Sequence, residues 1–243
     1  MKKLFNFTLA IAITLMSISE SYAQWGNKKV VGNGNVTTKT INTGDYDAIK
    51  GVGSMDIHLE KGSEGTIKVT TDDNLHEYLA IEVKNGTLVL KIQKNVSLKT
   101  KKGIHVTVPF DAISEVSLVG SGDIDTKDTI TASNLEINVT GSGDMDLDIS
   151  TNSLEAKITG SGDMDLAGST ENLEVSVTGS GDFDGTDLQA QNTEASVSGS
   201  GDIDVVAKNS IKARVHGSGS ISYSGNPAKS DTKAFGSGSI SSN

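Results

Sequence analysis

The sequence predicts an all-β fold: a right-handed parallel β-helix, or solenoid, with about 19 residues per coil and a β-rich capping region at its N-terminal end. Three observations predict it. A glycine-rich hexapeptide recurs at a nearly constant step. Apolar residues alternate on both sides of it, which is the period of a strand. A unit this short leaves no room for a strand, a helix and two loops, but it suits one coil stacked on the next at about 4.8 Å.

The hexapeptide Gly120-Ser121-Gly122-Asp123-Ile124-Asp125 returns at Gly141, Gly160, Gly179 and Gly199, and serine-substituted copies begin at Gly217 and Gly236. The steps are 21, 19, 19, 20, 18 and 19 residues. A relative stands earlier, at Gly51-Val52-Gly53-Ser54-Met55-Asp56. Counted from the first glycine, position minus two is Leu118, Val139, Ile158, Val177, Val197, Val215 and Ala234. Position plus four is Ile124, Met145, Met164, Phe183, Ile203, Ile221 and Ile240. Unbroken alternation turns both glycines inward with the valines, where they leave room for a tight corner and permit positive φ. The outward set is then Thr140, Thr159, Thr178 and Ser198, followed by a serine row and two aspartate columns.

One column is Asp123, Asp144, Asp163, Asp182 and Asp202; the other is Asp125, Asp146, Asp165, Asp184 and Asp204. Two readings compete for these ten carboxylates. They are metal candidates, with calcium the cation such oxygens would hold. Alternatively, each caps the turn by accepting a nearby backbone N–H. The serines in the last two copies, Ser220, Ser222, Ser239 and Ser241, favour the second reading.

Residues 1–23 read as a secretory signal peptide. Lys2 and Lys3 precede an apolar stretch from Leu4 to Ile18, and Ser21-Tyr22-Ala23 offers a small-residue cleavage site. The apolar stretch is short for a membrane span, so no transmembrane segment is expected after cleavage. The destination is secreted, periplasmic or cell-surface.

Residues 24–110 read as an N-terminal β-rich part and 111–243 as the repeat solenoid of the same domain. In the first part Met55, Ile57 and Leu59 alternate, a turn at Gly62 to Gly65 follows, and Ile67 and Val69 alternate again. Asp72 to Leu79 reads as one helical turn with Asn74 as N-cap and Glu77 as its reciprocal partner. Asn85-Gly86 between alternating segments signals a hairpin. Lys91, Lys94, Lys99, Lys101 and Lys102 read as a solvated strand edge.

Composition narrows the function classes. The chain has 31 acidic and 21 basic residues, a net charge of -10 and no cysteine. No basic stripe exists to neutralise phosphates, which argues against a nucleic-acid binder. Disulfides and thiolate metal sites are excluded. His58, His76, His105 and His216 follow no metal-ligand spacing. No histidine keeps a fixed offset from the repeated serines, so no nucleophile–base pair is indicated.

Taken together, Val31-Gly32-Asn33-Gly34-Asn35, Gly51-Val52-Gly53-Ser54-Met55-Asp56, Thr71-Asp72-Asp73-Asn74-Leu75, Asn85-Gly86-Thr87-Leu88, Val106-Thr107-Val108-Pro109 and the Gly-Ser-Gly-Asp copies resemble the bacterial head GIN domain family. That family is a domain of unknown function described as a putative auto-transporter adhesin. The resemblance runs from about Val31 to the C-terminus and implies an exported β-helical domain without established enzymatic activity.

The functional expectation is a non-enzymatic binding module of the cell envelope, without catalytic or cofactor-binding residues, whose partner is an unknown protein or glycan. The alternatives are a carbohydrate-active β-helix hydrolase, which would need two unlike carboxylates across a groove, and a cation-stabilised rod. The chain stops at Ser242-Asn243 in mid-coil by this register, so a homo-oligomer formed through uncovered strand edges is also expected.

Overall fold

The computed structural model describes residues 27–243. The expected signal peptide, residues 1–23, lies outside them. The described residues are 71% strand and 3% helix, wound as a β-solenoid of about 7 turns spaced about 19 residues apart.

Adjacent coils pair in parallel, so like positions stack. Ile137, Ala156, Val175, Ala195 and Ala213 lie in register from coil to coil, and all five are buried in one interior file. A second file runs through Met145, Met164, Phe183, Ile203 and Ile221. Burying side chains of this size stabilises the tube by about 1.5–3 kcal/mol each.

The glycine pair turns the corner between the strands that carry these files. The first glycine of each copy, from Gly120 to Gly236, has φ between +118° and +142°. Both glycines are required for a different reason from the one parity suggests. A Cβ on Gly160 would strike the carbonyl of Gly141, and one on Gly162 the carbonyl of Gly143. The missing side chains save space between coils rather than inside the tube. The resulting approach lets Ser180 and Gly181 donate their N–H groups to the Gly160 carbonyl at 2.8 and 3.2 Å.

Length variation is kept away from this corner. In the 21-residue step, Asp125 to Ile130 spans five positions where Asp146 to Ile149 spans three. In the 20-residue step, a bulge places Asp184 to Leu188 opposite Asp165 to Gly168. Both insertions follow the second aspartate, away from the glycine pairs.

At the N-terminal end the coils do not stack in chain order. Ala48–Gly53 and Asp56–Lys61 pair with the later Glu115–Gly120 and Ile124–Thr126. Beneath them lie Thr87–Ile92 and His105–Phe110. Gly53 aligns with Gly120, so the early relative of the repeat begins at Gly53 rather than Gly51. Thr66–Asp72 runs antiparallel to His105–Phe110 and to Val36–Asn42, and Leu79–Lys84 runs antiparallel to Thr87–Ile92. These antiparallel strands form the cap. The Asn85-Gly86 hairpin is present, with φ of 51° and 80°. The helical turn is a 3-10 helix, Asp73–Tyr78, whose N-cap position is Asp72. Asn74 does not cap it: its side chain accepts from Asn33 N–H and donates to the Val31 carbonyl, holding the N-terminal segment down.

Candidate functional site

The first aspartate column is built into the stack. The Asp144 carboxylate accepts the backbone N–H of Asp163 at 2.9 Å, Asp163 that of Asp182 at 2.9 Å, and Asp182 that of Asp202 at 2.7 Å. Asp202 accepts from Ser220 N–H at 2.7 Å, where the serine copies begin, and Asp123 from Asp144 N–H at 3.2 Å. The capping is therefore between coils rather than within a turn. One oxygen of each carboxylate is engaged, which offsets the repulsion between neighbours.

The second column, Asp125, Asp146, Asp165, Asp184 and Asp204, is also in register. Asp125 at the first end and Asp184, fourth of the five, find their own partners: Asp125 binds His58 Nδ1 at 2.6 Å, and Asp184 accepts from Thr186 N–H at 2.9 Å. In mid-column, partial burial, followed by the charges of Asp184 and Asp146, pushes the Asp165 carboxyl above its ordinary range.

A third acidic column escaped the sequence reading. Glu115, Glu136, Glu155, Glu174 and Glu194 stack in register, followed by Lys212. Its signal is a glutamate at position minus five from each of the first five glycine pairs, outside the hexapeptide. Lys157 pairs with Glu155 and lies 4.0 Å from Glu136, and Lys212 pairs with Glu194 at 2.5 Å. Beside this column runs an amide and hydroxyl ladder of Ser153, Asn172, Asn192 and Ser210. Asn192 Nδ2 donates to Asn172 Oδ1 at 3.1 Å, and Ser210 donates to Asn192 Oδ1 at 2.8 Å. Glutamates and ladder together line an open groove of about 360 Å³ that runs across four coils.

Two of the four histidines meet despite their separation in sequence. His58 and His105 face each other in neighbouring coils of the first turns. His76 contacts Thr37, and His216 stacks on Phe235 at 4.9 Å. Among the described residues no group of three or more His, Asp or Glu side chains is gathered as a metal centre. No helix among them is long and apolar enough to cross a membrane.

Fold and columns define the class: a capped parallel β-solenoid that presents repeated polar rows to solvent. The family described as putative auto-transporter adhesin, head GIN domain, matches residues 45–227, and the chain belongs to it. Solved structures agree. A putative adhesin from Bacteroides fragilis NCTC 9343 is 26% identical, with a TM-score of 0.83 over 88% of this chain and 100% of its own. A putative lipid binding protein from Parabacteroides distasonis ATCC 8503 is 30% identical, with a TM-score of 0.74 over 89% and 100%. A putative adhesin from the same organism is 27% identical, with a TM-score of 0.73 over 89% and 100%. No curated protein matches the chain.

Proposed function

We propose that the protein is an exported, non-enzymatic adhesin-like module that holds an extended glycan along its coils. The observation that carries this reading is the groove beside the glutamate column. Its donors and acceptors, Asn172, Asn192, Ser210, Glu174 and Glu194, repeat from coil to coil. A ligand with its own repeating hydroxyl groups meets equivalent weak contacts in succession, and these add by multivalency. Amides and carboxylates supply both halves of hydrogen bonds to sugar hydroxyls. A cation-held rod is the weaker reading, because one oxygen of each carboxylate in the first aspartate column is already engaged by an N–H of the next coil.

The test is a glycan array probed with residues 24–243 and with the Asn172→Ala/Asn192→Ala double variant. The expected result is affinity that grows with oligosaccharide length and falls at least tenfold in the variant at unchanged melting temperature (about 1.4 kcal/mol). Equal binding by the variant, or no glycan bound, overturns the reading. Binding instead to anionic lipid vesicles, through Lys99, Lys101 and Lys102 of the cap, would replace it with the activity that the name of the 30% identical Parabacteroides relative suggests. Self-association belongs to the same proposal. Lys229–Gly236 in the last described coil is exposed along its length, and pairing of that edge with a second copy would extend the rows. Light scattering that finds only monomer at high concentration counts against it.

A further inference from the structure

We propose that His58 and His105 are the two nitrogen ligands of a transition-metal site, of the zinc class, at the seam between cap and solenoid. The inference stands apart from the glycan groove. His58 Nδ1 lies 2.6 Å from Asp125 Oδ2, and His105 Nε2 lies 2.9 Å from the Lys102 carbonyl. A carboxylate and a carbonyl only accept, so these two ring nitrogens carry the protons. In neutral rings, His58 Nε2 and His105 Nδ1 are then both lone pairs. They face each other at 3.4 Å.

The rings are nearly coplanar, 12° apart, with centroids separated by 5.6 Å. That separation is the nitrogen distance extended by the two ring radii, so the rings meet edge to edge, nitrogen toward nitrogen. Two opposed lone pairs repel, and a cation between them removes the repulsion. An imidazole whose second nitrogen donates to a carboxylate or a backbone carbonyl is in the state that metal-bound histidine adopts. Two nitrogens, each 2.0–2.1 Å from one tetrahedral zinc ion, stand about 3.3 Å apart.

Asp56 Oδ2, 3.5 Å from His105 Nδ1, is the third donor. The three do not yet converge on one point. Convergence requires each ring to swing so that the lone pairs meet off the nitrogen–nitrogen line. The side chains are 31% exposed at His58, 42% at His105 and 34% at Asp56, which leaves that freedom. Gly103, at φ +78°, lies under the His105 ring, where a Cβ would come within 2.8 Å of Nε2. Imidazole nitrogen selects zinc, copper or nickel over calcium and magnesium.

The experiment is calorimetric titration of residues 24–243 with zinc chloride at neutral pH. One equivalent is expected to bind at micromolar affinity. His58→Asn and His105→Gln each weaken it at least tenfold, and Asp125→Asn, which releases the ring orientation, weakens it about tenfold. His216→Gln, at the far end, leaves it unchanged. Nitrogen NMR of the imidazoles in the unsubstituted chain provides a readout that does not depend on the folding of any variant. It should show His58 Nδ1–H and His105 Nε2–H, with the other two nitrogens shifting on zinc addition. No zinc uptake, unaltered affinity in both histidine variants, or a proton held between the two nitrogens that zinc does not displace overturns the proposal.

Discussion

The cap and the solenoid satisfy the same backbone by opposite means. In the solenoid each strand is answered by a copy of itself one coil away. In the cap single side chains do the work. Asp72, 2% exposed, accepts from Gly34 N–H and the Thr100 hydroxyl, Glu64 accepts from Tyr46 N–H, and the Tyr46 hydroxyl donates to the Pro109 carbonyl. Charge divides along the same line. Residues 27–110 carry twelve lysines and nine acids, and residues 111–243 carry seven basic and twenty-one acidic residues. A repeat copies each solvent-facing acid into a column, whereas the cap places each charged group once. The solenoid therefore tolerates error where positions face water and none where coils touch.

The sharpest break in this comparison is at glycine. Gly160→Ala puts a methyl group against the Gly141 carbonyl at φ +130°, and Gly44→Ala meets nothing within 4 Å. The first is expected to cost more than about 4 kcal/mol or to prevent folding, the second less than about 0.5 kcal/mol. Urea melts of both variants check this, and similar midpoints would remove backbone contact as the reason for the glycines.

Next comes the interior. Leu154→Ala, in a file with Leu135 and Leu173, is expected to cost about 2–5 kcal/mol. Hydrogen exchange should show the loss spreading along the neighbouring coils more than into the cap. Protection lost equally at both ends would mean that the molecule unfolds as one unit.

The smallest effect separates the regions by pH. The Thr100 hydroxyl and the Gly34 N–H hold the Asp72 carboxyl below its ordinary value of 3.8. Its contribution is fully present above 3.8 and is lost as pH falls through the lower folded value. Asp165 is shifted the other way, so its unfavourable charge is relieved as pH falls through its raised value toward 3.8. Acidification should therefore weaken the cap while sparing mid-solenoid. Asp165→Asn should raise stability at neutral pH and flatten its dependence on mild acid, whereas Asp72→Asn should lower stability at neutral pH. Melting curves that shift identically for both variants would cancel the distinction.

The stacked files were legible because a repeat states its own register: residues at equal offsets must meet. The hairpin was legible because Asn85-Gly86 is a local signal. The role of Asn74 was not, since its partners Val31 and Asn33 are about forty residues away. Nor was the order of the first coils. Alternation at Met55, Ile57 and Leu59 marks a strand but does not say that His105–Phe110 will lie between it and Thr66–Asp72. The glutamate column was readable at minus five and the asparagine ladder beside it at minus seven; that Asn172, Asn192 and Ser210 bond to one another across coils came only with the stacked structure.

By itself the sequence determined the coil, its period, its interior files and its outward aspartate rows, because strand alternation and repetition are local properties that stacking preserves. Only the tertiary structure decided which way the glycines face, which coil lies lowest, and that His58 meets His105. Those outcomes depend on contacts between segments that share no repeat, and such contacts are set by packing across distance rather than by period.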